Sequence, residues 1–192
     1  MKKVGVLALQ GDFEAHSRAL VGAGAEPVLA RTPSDLEGLD GLIIPGGEST
    51  TMLKLLNEED MIEPLVAFGS RRPIFGTCAG AILLAKEVTR PTQQSLGLMD
   101  LTLERNGYGR QIDSCVARVE PGQEFQKRTS PGELEAVFIR APIIRRVGAE
   151  ARILASYNGD PVLVEQGRHL VSTFHPELTP DLRVHNLFVS KL

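Results

Sequence analysis

The stretch Pro73-Ile74-Phe75-Gly76-Thr77-Cys78-Ala79-Gly80-Ala81-Ile82-Leu83-Leu84 joins two apolar runs through a turn that carries a cysteine between two glycines. The first run, residues 73–75, is typical of a buried strand, and the second is typical of the start of a helix. Gly76 and Gly80 favour a sharp turn, because neither places a side chain where two backbone segments come close together. The stretch therefore predicts a strand–turn–helix unit with Cys78 at the turn.

The position of Cys78 matches that of the serine in a nucleophile elbow, the strand-to-helix turn of many hydrolases. The N-terminus of the following helix favours a thiolate and offers backbone N–H groups to a developing oxyanion. The alternative is that Cys78 is an inert core residue, as most free cysteines are. The paired glycines and the preceding strand favour the nucleophile. Cys115, in an alternating apolar run, has no such setting and is interpreted as structural.

Short apolar runs alternate with helix-like stretches through the first half of the chain, which indicates parallel strands connected by helices. Strands are predicted at residues 4–9, 27–30, 41–44 and 73–75. The helix after the third strand is expected to be capped by Thr50 or Thr51. The loops at Gln10, Gly46 and Gly76 should meet at the carboxyl edge of the sheet, where ligands bind in such folds.

The second half of the chain, from residue 96 to residue 174, contains shorter strand-like runs separated by turn signals. Part of it is expected to extend the sheet with antiparallel strands. The predicted fold class is α/β, a three-layer sandwich with a mostly parallel central sheet, helices on both faces and an antiparallel extension. Residues 119–133 are interpreted as a variable surface loop. Residues 1–192 are expected to form a single domain, since no linker or repeat divides them.

The composition is that of an ordinary globular protein, with 42% hydrophobic and 23% charged residues. The formal net charge is -3 and the basic residues are scattered, which argues against a nucleic-acid-binding surface. Two cysteines are too few for a disulfide framework, so a reducing cytoplasm is the expected location. No apolar run is long enough to span a bilayer. No glycine cluster fits a phosphate or dinucleotide motif, and neither a cofactor nor a metal site is expected.

A thiol nucleophile requires a nearby imidazole and a third group that orients the imidazole. His175 ends an apolar, strand-like run and is expected at the same sheet edge as Cys78. Glu177, two residues further on, could accept the ring N–H of His175 and stabilise its imidazolium form. Two other histidines look less suitable: His16 is expected near the surface of a helix, and His169 is expected to be exposed at the start of a strand.

Two motifs together point to a known family. Gly76-Thr77-Cys78-Ala79-Gly80 with His175-Pro176-Glu177 resembles the catalytic triad of class I glutamine amidotransferases. Further blocks resemble one branch of that family, the glutaminase subunits of pyridoxal 5′-phosphate synthases, and they lie at residues 5–11, 45–51, 104–111, 138–142 and 174–179. Gly47-Glu48-Ser49-Thr50-Thr51 and Arg105-Asn106 are the parts that distinguish this branch.

The resemblance implies that Cys78, His175 and Glu177 hydrolyse L-glutamine to glutamate and ammonia through a glutamyl thioester. It implies an oxyanion site formed by backbone N–H groups of Gly46, Gly47 and Ala79. The residues that it implies for glutamine binding are Gly47, Glu48, Ser49, Arg105, Ile139 and Arg140. A free amino acid carries an ammonium and a carboxylate, so a site with acidic and basic side chains suits it.

The resemblance also implies a partner, a barrel-shaped synthase subunit that combines the ammonia with a pentose phosphate and a triose phosphate to form pyridoxal 5′-phosphate. In related complexes the docking of that partner organises the oxyanion loop. The isolated chain is therefore expected to be weakly active. The lack of a phosphate-binding motif agrees with such a division of labour.

Three alternatives remain open from the sequence. Another glutaminase subunit, serving histidine or purine synthesis, would share the triad. A cysteine hydrolase of similar fold, acting on peptides or small aldehydes, would typically carry a histidine directly after the cysteine, where this chain has Ala79. A non-catalytic regulatory subunit would lack a member of the triad, and none is missing.

Overall fold

The computed structural model describes residues 1–105 and 114–192, so Asn106 and the rest of the block up to residue 111 lie outside the described residues. The described strands are β1 (Lys3–Leu7), β2 (Glu26–Ala30), β3 (Gly41–Ile44), β4 (Ile74–Thr77), β5 (Ala85–Thr89), β6 (Met99–Glu104), β7 (Ser114–Val119), β8 (Leu134–Ile139), β9 (Ile143–Val147), β10 (Ala151–Tyr157), β11 (Asp160–Gln166) and β12 (His169–Ser172). The described helices are α1 (Phe13–Gly22), α2 (Ser49–Glu58), α3 (Ile62–Gly69), α4 (Ala79–Leu84), α5 (Gln123–Arg128) and α6 (Arg183–Val189). None of these helices is long and apolar enough to cross a membrane.

Seven strands form the central sheet, in the order β10-β11-β12-β4-β3-β1-β2. The five strands from β12 to β2 are parallel, whereas β10 and β11 pair antiparallel at one side. This arrangement confirms the predicted fold class, including the antiparallel extension. The carboxyl ends of β1, β3, β4 and β12 share one edge, which is where the loops at Gln10 and Gly46 and the turn at Cys78 leave the sheet; Gly76 itself lies within β4.

Two hydrophobic cores lie on opposite faces of the sheet, because successive side chains of a strand point to opposite sides. In β3, Leu42 and Ile44 belong to one core and Ile43 to the other. Helices α2, α3 and α4 cover the first face, and α1 and α6 cover the second. Each fully buried Leu or Ile stabilises the fold by roughly 1.5–3 kcal/mol. Together the two cores hold the strand ends, and hence the loops at the edge, in fixed positions.

The cap of α2 differs from the prediction. The helix begins at Ser49, and the carboxylate of Glu48 accepts hydrogen bonds from the backbone N–H groups of Thr50 at 3.2 Å and Thr51 at 2.7 Å. Thr50 or Thr51 as the cap is therefore wrong. An ionised carboxylate is favoured as the cap because it accepts two N–H hydrogen bonds and carries the negative charge that a helix N-terminus favours.

Residues 119–133 are not simply a surface loop, because they contain α5. Phe125 of this helix is fully buried in the second core. The short helix shows one buried apolar residue among charged neighbours, which is too weak a pattern to reveal a helix from the sequence. The sequence likewise gave no signal for β5 and β9, which pair with β6 in a smaller sheet and carry exposed charges such as Lys86.

Candidate active site

Cys78 lies at the sharp turn between β4 and α4, as the sequence predicts. Its backbone has φ 49° and ψ −103°, a left-handed conformation that a non-glycine residue rarely adopts. The N–H of Cys78 donates to the carbonyl of Ser172 at 2.9 Å, which ties the turn to β12. A Cβ atom on Gly76 would lie 2.5 Å from the carbonyl group of Gly80, so the turn tolerates no side chain there.

His175 and Glu177 follow β12 and form a hydrogen-bonded pair. Pro176 opens a short 3-10 turn, Pro176–Leu178, which places Nδ1 of His175 2.7 Å from Oε1 of Glu177. The backbone N–H of His175 donates to the carbonyl of Val137 in β8 at 2.8 Å. Both side chains are buried, with 7% of His175 and 8% of Glu177 exposed. His175 is therefore held in two ways, by the hydrogen bond of its backbone N–H and by the hydrogen bond of its ring Nδ1.

Cys78 and His175 meet at the carboxyl edge of the sheet. A Cβ atom on Gly46 would approach the His175 ring and would lie 3.3 Å from Cβ of Cys78, so Gly46 packs between them. The thiol of Cys78 also lies 3.9 Å from the carbonyl of Ile139. The structure thus brings together the nucleophile and the base that the sequence nominates.

Burial acts to lower the pKa of His175, but its hydrogen bonds and charge interactions with Cys78 and Glu177 outweigh burial and raise the pKa to about 10. Burial acts to raise the pKa of Glu177, but the neighbouring His16 and the hydrogen bond from His175 hold it below its usual value. An imidazolium beside a carboxylate is the charge state that these directions favour. In that state His175 can pair with a thiolate on one side and with Glu177 on the other.

A cavity of about 300 Å³ opens in front of Cys78 and His175. Its lining includes all six residues nominated for amino-acid binding, namely Gly47, Glu48, Ser49, Arg105, Ile139 and Arg140. Gln10 and Ile82 also line it. A larger cavity, about 520 Å³, lies near Pro33 and Arg72, but none of the nominated residues lines it. We therefore take the smaller cavity as the candidate active site because of its lining residues and not because of its size.

Glu48 and Arg105 form the charged wall of this cavity. One guanidinium nitrogen of Arg105, Nη2, lies 3.3 Å from Oε1 of Glu48 and 2.8 Å from the hydroxyl of Thr50. Burial acts to raise the pKa of Glu48, but the hydrogen bonds from Thr51 and Thr50 lower it below its usual value. Glu48 is therefore an ionised carboxylate that caps α2 and holds Arg105 at the cavity.

Gln10 and Gln93 belong to the site although the sequence analysis nominated neither. The side-chain oxygen of Gln10 accepts the N–H of Glu48 at 3.0 Å, beside Gly47 with its φ of 149°. The hydroxyl of Ser49 donates to the side-chain oxygen of Gln93 at 3.0 Å. The position of Gln10 in the loop that follows β1, three residues after the strand ends, is a usable signal. For Gln93 the sequence offers none, because its contact with Ser49 spans 44 residues.

The nominated oxyanion residues surround the turn. Ala79 is the first residue of α4, so its N–H lies at the open N-terminal end of that helix. Gly46 and Gly47 follow β3, and Gly46 packs against both Cys78 and His175. Two backbone segments therefore approach the thiol from different strands.

Two predictions about the remaining histidines are wrong. His16 is fully buried rather than near the surface, and His169 is only 7% exposed. Nδ1 of His169 accepts the backbone N–H of Ile74 at 3.1 Å, and burial is the main cause that lowers its pKa to about 4. Both rings are buried because partners from distant segments satisfy their nitrogens, which no local pattern reveals.

The model of the SNO glutamine amidotransferase family matches residues 6–192. A protein of Solibacter usitatus named pyridoxal 5′-phosphate synthase subunit PdxT is 65% identical over 192 residues, covering 100% of each chain. Its namesake from Koribacter versatilis is 51% identical over 190 residues, covering 97% of this chain and 94% of the relative. A crystal structure of a glutamine amidotransferase has a TM-score of 0.89 at 44% identity and covers 98% of this chain and 97% of that chain. The chain therefore belongs to the SNO glutamine amidotransferase family.

Proposed function

We propose that this chain is the glutaminase subunit of a pyridoxal 5′-phosphate synthase, which hydrolyses L-glutamine and delivers the ammonia to a synthase subunit. The observation that carries the proposal is the meeting of Cys78, His175 and the Glu48–Arg105 pair around one cavity. The names of its relatives at 65% and 51% identity support the same activity. Membership of the glutamine amidotransferase family separates it from a peptide or aldehyde hydrolase.

The first half of the reaction forms a thioester. The thiolate of Cys78 attacks the side-chain amide carbon of glutamine, and the carbonyl oxygen becomes an oxyanion. Backbone N–H groups of Ala79 and of the Gly46–Gly47 loop stabilise that charge, each by on the order of 3 kcal/mol. His175 then gives its proton to the amide nitrogen, the C–N bond breaks, and ammonia leaves a glutamyl thioester on Cys78.

The second half of the reaction releases glutamate. His175, now a neutral imidazole, takes a proton from water while the water oxygen attacks the thioester carbon. The C–S bond breaks, glutamate leaves, and the thiolate of Cys78 again faces the imidazolium of His175. Glu177 stays ionised and holds the Nδ1–H of His175, so that Nε2 faces Cys78 in both halves.

The charged wall of the cavity would recognise the amino-acid end of glutamine. Arg105 and Arg140 supply cationic groups for the α-carboxylate, and Glu48 supplies an anionic group for the α-ammonium. Gly47, Ser49 and Ile139 would shape the channel for the side-chain amide. Ser49 is held for this task by its hydrogen bond to Gln93.

The ammonia requires an acceptor, which we assign to a barrel-shaped synthase subunit that builds pyridoxal 5′-phosphate from a pentose phosphate and a triose phosphate. Docking of that subunit would complete the Gly46–Gly47 oxyanion loop, so the isolated chain is expected to be weakly active.

The central sheet contains strands from both ends of the chain, from Lys3 to Ser172, which supports treating residues 1–192 as a single glutaminase domain. A cytoplasmic location is part of the same proposal, supported by two cysteines that are both free.

The proposal is tested by mixing the purified chain with the barrel-shaped synthase subunit and supplying either glutamine or ammonium. We expect glutamate release to rise when the synthase is present and pyridoxal 5′-phosphate to form from either nitrogen source. Cys78→Ala should abolish formation from glutamine and leave formation from ammonium intact. Glutamine-dependent synthesis that survives Cys78→Ala, or a synthase that gains nothing from this chain, would refute the proposal.

Cys115→Ala is the matched control, because Cys115 is the second free cysteine and lies in β7. It should leave both activities unchanged. A glutamine-mimicking chloroketone should label Cys78, as read by mass spectrometry of the intact chain and its peptides. Labelling of Cys115 in its place would mean that the elbow is not the reactive site.

A further inference from the structure

A buried polar network lies behind Glu177, on the side away from His175. Nε2 of His16 lies 3.4 Å from Oε2 of Glu177 and 3.1 Å from the hydroxyl of Thr77. Nδ1 of His16 lies 3.1 Å from Nε2 of His185. His16, His185 and Thr77 are all fully buried. Burying three polar side chains costs folding free energy unless they form hydrogen bonds with one another or with a neighbouring group.

The network connects four separate elements to the catalytic groups. His16 lies in α1, Thr77 ends β4 directly before Cys78, and His185 lies in α6. Glu177 lies in the 3-10 turn that also carries the base. His16 therefore touches both the segment that holds the nucleophile and the residue that orients the imidazole. His16 and His185 make edge-to-face contacts with Phe75, with ring centroids 6.3 Å and 5.9 Å away, and these contacts restrict the ring planes.

The available hydrogen-bond partners favour one arrangement of protons in this network. If Nε2 of His16 carries the proton, it donates to the hydroxyl oxygen of Thr77 with its N–H edge 3.4 Å from Oε2 of Glu177, and Nδ1 accepts the Nε2–H of His185. The reverse tautomer would point a ring lone pair at a carboxylate. It would also require a proton on Nδ1 of His185, which is buried and has no hydrogen-bond partner among the described residues. An unpaired buried N–H is rare in proteins, so the first arrangement is favoured.

His16 donates as a neutral ring. Burial lowers its pKa more than the negative charges of Glu177 and Asp12 raise it, and His175 lowers it further. Burial likewise lowers the pKa of His185 to about 3. The titratable groups that face His16 are therefore Glu177, Asp12, His175 and His185. Of the three imidazoles, only that of His175 has a raised pKa, so it is the one that carries the positive charge beside Glu177.

We propose that His16 is a positioning residue for the catalytic triad, whose Nε2–H lies against Oε2 of Glu177 while hydrogen bonds to Thr77 and His185 hold its ring. This inference rests on the proposed glutaminase function. With this contact at Oε2, Oε1 of Glu177 stays directed at His175 when that ring gains and loses its proton. Without it, the carboxylate would be restrained at Oε1 alone and could rotate about its side chain and release the imidazole.

A pair of amide substitutions tests the inference. His16→Gln places its amide NH2 near the position of Nε2, beside Thr77 and Oε2 of Glu177, whereas His16→Asn reaches only the position of Nδ1. In complex with the synthase subunit, we expect His16→Asn to lower kcat for glutamine hydrolysis about 10- to 100-fold with little change in KM. His16→Gln should recover most of that loss.

The pH profile separates positioning from a general loss of folding. Without the N–H group of His16 beside Oε2, the carboxylate of Glu177 is protonated more easily, so the acidic limb of kcat/KM should move to higher pH in His16→Asn. His16→Gln should keep the limb of the wild-type protein. A thermal melt of each variant reports the folded fraction, and rates are taken well below the melting temperature.

His169→Asn is the matched control, because His169 is also a buried histidine and lies at the end of β12 away from His175. It should leave kcat and the acidic limb unchanged. Equal rates and profiles for His16→Asn and His16→Gln would overturn the positioning role. A wild-type complex that does not hydrolyse glutamine would instead overturn the proposed function itself, so the two failures are distinct.

Discussion

The Nδ1 atom of His175 and the Oε1 atom of Glu177 lie 2.7 Å apart, although a single residue separates the two in the chain. The restricted backbone of Pro176 makes this local pair possible, because it sets the 3-10 turn that folds Glu177 back onto the ring. The partner of the pair, Cys78, comes from a strand almost one hundred residues away in sequence. The proposed base and its proposed orienting acid are thus brought together by one local turn, whereas the proposed nucleophile is brought to them by the fold.

Glu177→Gln should lower kcat for glutamine hydrolysis by roughly 100- to 10,000-fold, because an amide can no longer stabilise the imidazolium and can turn its NH2 group toward Nδ1. Stopped-time or steady-state assays of glutamate release in the presence of the synthase partner measure this fall in kcat. Glu37→Gln, a change at an exposed carboxylate that lines the larger cavity near Pro33 and Arg72, serves as the control. Near-normal kcat in Glu177→Gln would show that Glu177 does not orient the base.

Gly46→Ala should lower kcat without unfolding the protein. The added Cβ would collide with the ring of His175, which can move aside only by leaving its place beside Cys78. Gly22→Ala is the control, since its Cβ would meet the flexible end of Leu182 at 2.7 Å. Circular dichroism and glutaminase assays on both variants check the prediction. If Gly46→Ala retained full activity, the close approach of this loop to the base would have no catalytic importance.

His169 should make the protein less stable as the pH falls. Its pKa is about 4 in the folded chain against an ordinary value of 6.5, so the unfolded chain binds the proton first. The stability that His169 contributes is complete above pH 6.5 and is lost as the pH falls toward 4, by up to about 3 kcal/mol at 1.4 kcal/mol per pKa unit.

Urea unfolding at pH 7 and at pH 4.5 measures this loss for the wild-type protein and for His169→Asn. The variant keeps a side-chain acceptor for the N–H of Ile74 but cannot titrate. We expect a smaller difference between the two pH values in the variant. An identical difference in both proteins would mean that His169 takes up its proton equally well when folded.

Glu48→Ala should affect both the stability of the chain and its affinity for glutamine. Loss of the cap of α2 should cost about 1 kcal/mol in the free energy of unfolding. Arg105 also loses its carboxylate partner at the cavity, so KM should rise by more than kcat falls. Glu58→Ala, at the other end of the same helix and paired with Lys54 at 3.7 Å, is the control and should change neither kinetic constant. A change in stability with an unaltered KM would restrict Glu48 to a capping role.

Local patterns were enough to find the main parts of the fold and of the site. The apolar run before Gly76, the paired glycines and the following apolar run specify the turn at Cys78, because each depends only on neighbours in the chain. The alternation of strands and helices predicts a parallel sheet, and a parallel sheet aligns its carboxyl ends. The pair His175 and Glu177 could be found for the same reason, since both lie within one turn.

The sequence by itself determined the strand–turn–helix unit at Cys78, the order of strands and helices up to α4, and the choice of His175 and Glu177 as the proposed base and its orienting acid. Only the tertiary structure decided that His16 is buried behind Glu177, since its contacts with Thr77 and His185 span 61 and 169 residues. It also decided that Glu48 rather than a threonine caps α2. The physical reason is the same in each case: a polar side chain is buried or engaged according to the partners that the folded chain brings to it, and those partners are invisible to local sequence.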